Sequence, residues 1–200
     1  MQKEQRSVGI LAYGSLIADP GDEIRAVMTG TKTGIETPFA VEFARMSTKR
    51  AGAPTLVPVE TGGARVQAVI LLVDAAEDDA THRLYRREIN EVGGGKLYRP
   101  RPNPDTNTVQ IKRLEGFNGV DVVLYTQIGA NIKDPIPAAL ARLAIESARQ
   151  LDDGRDDITY LLNAKKYGIR TVLSDEYEVE IKRQLALNDL AEALRVARGR

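Results

Sequence analysis

Val8-Gly9-Ile10-Leu11-Ala12-Tyr13-Gly14-Ser15-Leu16-Ile17 reads as an apolar strand running into a turn that holds a tyrosine, a glycine and a serine. An apolar run bounded by a glycine turn is a strand signal. Gly14, without a Cβ, can take backbone angles closed to other residues and so permits a tight turn. Such a turn at a strand end aims several backbone N–H groups at one point, a nest able to hold an anion or an oxyanion. Taken alone, Tyr13-Gly14-Ser15-Leu16 is also open to a plainer reading, a turn with a buried tyrosine.

Outward from this stretch, further strand signals fall at Phe39 to Arg45, Leu56 to Val59, Val66 to Val73, Val109 to Leu114 and Val120 to Ile128. A short helix is expected from Asp22 to Met28, after the Asp19-Pro20-Gly21 turn. A long helix is expected from Glu77 to Glu91, entered through an acidic first turn that suits the helix dipole and stopped by Gly93-Gly94-Gly95. Three prolines keep Tyr98 to Asp105 in loop or edge. The last third reads as helical. Pro137 opens a helix that carries Leu140, Leu143, Ala144, Ala148 and Leu151 at helical spacing. A second carries Ile158, Leu161 and Leu162, and a third starts at Ser174 as N-cap and breaks at Asn188-Asp189 before a final helix to Arg198.

Strands first and helices last, with one helix inserted, give an α+β or mixed α/β class. The expected organisation is a β-rich core over residues 1–130 and a helical part over residues 131–200 packed on it, one domain overall. Two hundred residues are enough for that core.

Composition narrows the chemistry. The 28 basic and 28 acidic residues balance, so no global charge points to nucleic acid or a membrane surface. Without cysteine there are no disulfides, thiolate metal sites or cysteine nucleophiles. A single histidine, His82, excludes a multi-histidine metal site and weakens any Ser-His triad; it reads as a solvated surface residue beside Arg83. Acid–base work therefore falls to carboxylates, tyrosine or lysine. The charged start lacks a signal-peptide core, and the longest apolar run, Ala68 to Val73, is too short for a bilayer, which makes the cytoplasm the expected location.

The helix from Glu77 holds one carboxylate out of place. With Ala80 at zero, Leu84 falls at roughly 40°, Val92 at roughly 120°, Tyr85 at roughly 140° and Ile89 at roughly 180°, while Glu88 falls at roughly 80°, inside that apolar arc. Arg83, Arg86, Arg87 and Asn90 fall on the opposite side. An apolar arc faces the core, so Glu88 is expected to point inward. An inward carboxylate is costly unless paired or kept for proton transfer. Three readings stay open at this point: a general base, a buried glutamate bonded to an arginine or backbone N–H groups, and a rotated helix on which Glu88 only borders the core. His82 to Arg101 also carries six Lys or Arg against two Glu, read as a solvated basic face or the rim of a site for an anionic small molecule.

A strand ending in Tyr13-Gly14-Ser15-Leu16, followed by a helix bearing Glu88 within Leu84-Tyr85-Arg86-Arg87-Glu88, resembles the γ-glutamylcyclotransferase-like superfamily. Tyr98 resembles the tyrosine that often opens that family's next strand, and Val122-Val123-Leu124-Tyr125 its later strand whose tyrosine faces the pocket. Tyr160-Leu161-Leu162 with Gly168-Ile169 resembles the helical tail of its glutathione-degrading branch. The chain departs from that branch in having Ala18 where a tryptophan is common, and in matching its Arg-Gly-Thr-Pro-type segment only loosely at Arg50 to Thr55. The resemblance implies a small β-barrel or sheet with flanking helices and a helical C-terminal extension. It implies an enzyme that cyclises a γ-glutamyl amide to 5-oxoproline, with Glu88 as acid–base residue and Tyr13, Gly14, Ser15, Leu16 and Tyr125 binding substrate. Neither cofactor nor metal is implied, and the expected partners are a small γ-glutamyl compound and, in a homo-oligomer, a second copy of the chain. Two alternatives accompany it: a non-catalytic γ-glutamyl or carboxylate-binding module of the same fold, and an interaction protein using the basic face.

Overall fold

The computed structural model describes residues 6–151 and 153–199. Among them the elements run β1 (Val8–Ala12), α1 (Ser15–Ala18), α2 (Asp22–Arg25), β2 (Met28–Glu36), β3 (Val41–Ser47), a 3-10 turn (Thr48–Arg50), β4 (Ala53–Pro58), β5 (Gln67–Val73), α3 (Glu77–Glu88), β6 (Gln110–Phe117), β7 (Val120–Gln127), α4 (Pro137–Gln150), α5 (Asp157–Lys166), α6 (Ser174–Leu185) and α7 (Leu190–Ala197). The class is mixed α+β. Two compact units are formed, one from the described residues up to Thr37 with Ala68–Ile128, the other from Pro38–Gln67 with the chain from Gly129 onward.

The first unit is built on a five-stranded sheet in the order β2-β5-β1-β7-β6. Ile10 of β1 lies opposite Leu71 of antiparallel β5 and Leu124 of parallel β7. With β2 and β6 as edges the sheet is open, so of the expected barrel or sheet the structure has the sheet. The strand that opened the sequence analysis is its middle member, and all five of its residues are buried. Gly9 fits there because Ile70 packs on it: a Cβ at Gly9 would collide with Ile70 Cγ2. Val8, Ile10 and Ala12, with Leu71, Val73, Val122 and Leu124, present one apolar face to Leu16, Ile24, Ala80 and Leu84. Each large side chain buried there stabilises the unit by about 1.5–3 kcal/mol, and together they fix α3 against the sheet.

Two boundaries differ from expectation for physical reasons. The helix from Asp22 ends at Arg25, because the chain extends at Met28 to begin β2, with Val27 O accepting from Asp74 N at 2.8 Å. The long helix ends at Glu88 rather than Glu91. Asn90 takes a left-handed conformation (φ 56°), and Glu91 N donates to Arg86 O while Asn90 N donates to Arg87 O. This reciprocal pair is the Schellman stop, for which Asn is the usual substitute for Gly. Val92, expected in the apolar arc, is outside the helix and exposed.

In the second unit, β3 and β4 form an antiparallel ribbon with Val41 opposite Pro58. Helices α4 to α7 contribute Leu140, Ile145, Ile158, Leu161, Tyr177, Ile181 and Leu190 to its buried interior, and Phe43 packs edge-on to Tyr177 at 5.1 Å between centroids. Two adjacent aspartates are fully buried at the start of α5. Asp156 caps the helix by accepting from Thr159 N and pairs with Arg198 at 2.5 Å. Asp157 accepts from the Tyr177 hydroxyl, and its Oδ1 has no hydrogen-bond partner among the described residues. Burial pushes the Asp157 carboxyl up to about 7 from its ordinary 3.8. Ser174, expected as N-cap, lies one residue inside α6; its hydroxyl accepts from Thr171 N at 2.8 Å.

Candidate active site

The turn after β1 belongs to the first unit. Gly14 has φ 61° and ψ −134°, angles that disfavour a side chain, and it passes the chain directly into α1. Ser15 and Leu16 open α1, so their N–H groups have no acceptor within that helix. The Leu16 side chain is buried in the core, which anchors the turn. Tyr13 donates its hydroxyl to Thr126 O at 3.3 Å, tying the turn to the end of β7.

Glu88 ends α3 with its side chain 21 % exposed, partly inward as the wheel requires. Its Oε1 accepts from Arg87 Nη1 at 2.7 Å. Arg87 Nη2 in turn donates to Ser15 Oγ at 3.2 Å. One guanidinium thus joins the carboxylate of α3 to the hydroxyl of the turn. Glu88 Oε2 accepts no hydrogen bond from any described residue. The arrangement fixes one carboxylate oxygen and leaves the second available to a proton on a bound molecule, the geometry a general acid–base group needs. It also satisfies the plainer expectation of a glutamate bonded to an arginine.

Tyr125 lies on β7 in the same unit. Side chains alternate across a strand, and Leu124 belongs to the core face on which α3 packs. Tyr125 therefore occupies the other face, with Lys112 as its cross-strand neighbour on β6. Burial raises its hydroxyl pKa above the ordinary tyrosine value. Glu88 and Ser15 are joined through Arg87, while Tyr13 is tied to Thr126, the neighbour of Tyr125 on β7.

Sequence reasoning missed three residues around this site. Arg87, assigned by the wheel to the outer side, is 15 % exposed and bridges the two halves. Arg86, also assigned outward, is buried and holds Glu23 in a two-pronged ion pair, with Nη1 donating to Lys96 O at 3.1 Å. The guanidinium holds Glu23 below the usual carboxylate range. Glu23 also accepts from Gly93 N, so the pair pins the glycine segment after α3. His82 is not a free surface residue either: its Nδ1 accepts from Tyr98 N at 3.1 Å, and Tyr98 packs on Tyr85. The signal for Arg86 was available in Glu23, an acid on a helix that precedes the site. The basic face is largely committed, since Arg83 pairs with Asp79 and Lys96 with Glu91. Arg86→Met should lower stability by about 2 kcal/mol, below the cost of losing one partner of a fully buried pair because this pair reaches the surface. A urea-unfolding midpoint unchanged from the parent would contradict that assignment.

No family model and no curated protein matches the chain. Among the described residues no group of three or more histidine, aspartate or glutamate side chains is arranged to hold a metal ion, and no helix is long and apolar enough to cross a membrane.

Proposed function

We propose that the chain is a γ-glutamylcyclotransferase-like enzyme that converts a γ-glutamyl amide to 5-oxoproline and a free amine. The observation that carries this reading is the Arg87 bridge, which sets the Glu88 carboxylate beside Ser15. In the reaction the substrate's α-amino nitrogen attacks its own γ-carbonyl carbon. A carbon–nitrogen bond closes the five-membered ring, and the original amide carbon–nitrogen bond breaks. Glu88 Oε2 takes the proton released by the attacking nitrogen and returns it to the departing one, so the enzyme ends as it began. Backbone N–H groups at Gly14, Ser15 and Leu16 hold the γ-glutamyl part or the oxyanion that develops on its carbonyl. Ring closure is intramolecular, so holding the substrate bent for attack supplies much of the rate. Ser15 binds rather than attacks: its hydroxyl accepts from Arg87, and a guanidinium is no base. Incubating the protein with glutathione and a panel of γ-glutamyl amino acids and amines tests the reading. Product 5-oxoproline, identified by mass spectrometry together with the matching amine, supports it. Binding without turnover points instead to a γ-glutamyl-binding module.

A further inference from the structure

We infer that Arg87 is a positioning residue, one that fixes the bearing of Glu88 against the turn at Ser15 and does not itself hold the substrate. The inference rests on the proposed acid–base role of Glu88. A guanidinium has five N–H donors in a planar fork. Nε donates to Asp19 O at 3.1 Å, Nη2 to Asp19 O at 2.7 Å and to Ser15 Oγ at 3.2 Å, and Nη1 to Glu88 Oε1 at 2.7 Å. One donor, on Nη1, has no acceptor among the described residues. A two-pronged grip on a substrate carboxylate would need one of these bonds to break.

The partners show what the fork accomplishes. Ser15 and Asp19 bracket α1, a helix of four residues, too short to hold its shape without outside contacts. Arg87 grips both ends of it from α3, whose Leu84 is locked in the core. The same plane pins Glu88 Oε1 and leaves Oε2 without a bond to any described residue. A lysine at this position has one ammonium on a flexible stem and cannot meet all three partners in one geometry.

Arg87→Lys and Arg87→Ala test this, with Glu88→Gln as reference. Thermal unfolding first confirms that both Arg87 variants fold. In each, kcat for 5-oxoproline release should fall about 10- to 100-fold while KM moves less than about threefold, as expected when a reacting group is misplaced by about an ångström. Added guanidinium ion should restore part of the kcat of Arg87→Ala. Amide hydrogen exchange at Ile17 and Asp19, which close onto Gly14 and Ser15 carbonyls, should quicken in both variants and not in Glu88→Gln. Unchanged kcat, or a large rise in KM with kcat retained, overturns the inference. If the parent protein releases no 5-oxoproline from any substrate, the proposed function falls instead. Exchange then decides the matter: unaltered rates at Ile17 and Asp19 in Arg87→Ala overturn the positioning role, and faster rates uphold it.

Discussion

Glu88→Gln is expected to lower 5-oxoproline release by about 10²–10⁴-fold, the range associated with removing a positioned acid–base group. The amide is nearly the same size and still accepts from Arg87 through its carbonyl oxygen, so the turn stays tied to α3. It cannot take up the proton from the attacking nitrogen. Because the Arg87–Glu88 pair is partly exposed and Arg87 keeps its bonds to Ser15 and Asp19, stability should change by less than about 1 kcal/mol. Steady-state kinetics and a thermal melt on the same preparation check both halves. A variant that retains full turnover removes Glu88 from the mechanism.

Asp157 carries the second large effect, on stability rather than catalysis. Burial raises its folded-state pKa from 3.8 to about 7, while the unfolded chain titrates near the ordinary value. Between those limits the folded protein binds the proton that the unfolded chain has released. The contribution of this group is therefore fully present below about 3.8 and is lost as pH rises toward and through about 7. From pH 5 to pH 8 the parent should lose roughly 3 kcal/mol through this residue, at 1.36 kcal/mol per pKa unit. Glu42, also raised by burial, acts in the same direction. Asp157→Asn still accepts from the Tyr177 hydroxyl and has no proton to lose, so its stability should vary less over that span. Urea unfolding of both proteins at pH 5 and pH 8 isolates the effect as the difference between them. Parallel profiles would show that Asp157 does not keep its proton.

Much of this fold is legible in the sequence where burial imposes a pattern. β1 is apolar throughout because its residues are buried on both faces of the sheet, and its bounds match the expectation from Val8 to Ala12. The starts of α3 and α4 were marked by an acidic first turn and by Pro137. β2 was not legible. Met28–Glu36 is an edge strand with Thr29, Thr31 and Thr33 on its exposed side and only Ile35 fully buried, so it lacks the apolar alternation that announces a strand. The end of α3 was obscured because the stop is Asn90, not the glycines that follow. At the site, the turn and Glu88 could be picked out from glycine chemistry and helical phase. Arg87 could not: a wheel reports the direction of a Cβ, and a long side chain reaches around the helix to partners 68 and 72 residues earlier. Arg86 escaped notice for the same reason, since its charge is satisfied by Glu23 on another helix.

Cyclisation is the central claim, and the fate of the substrate's α-nitrogen tests it most directly. A γ-glutamyl amide labelled with nitrogen-15 at that position is incubated with the protein, and the products are weighed by mass spectrometry. The account predicts 5-oxoproline retaining the label, in equal amount with an unlabelled free amine, and about 10²–10⁴-fold slower formation of it with Glu88→Gln. Labelled glutamate in its place would mean that water, not the α-amine, attacks the carbonyl, and untouched substrate across the whole panel would mean that the site does not perform this chemistry.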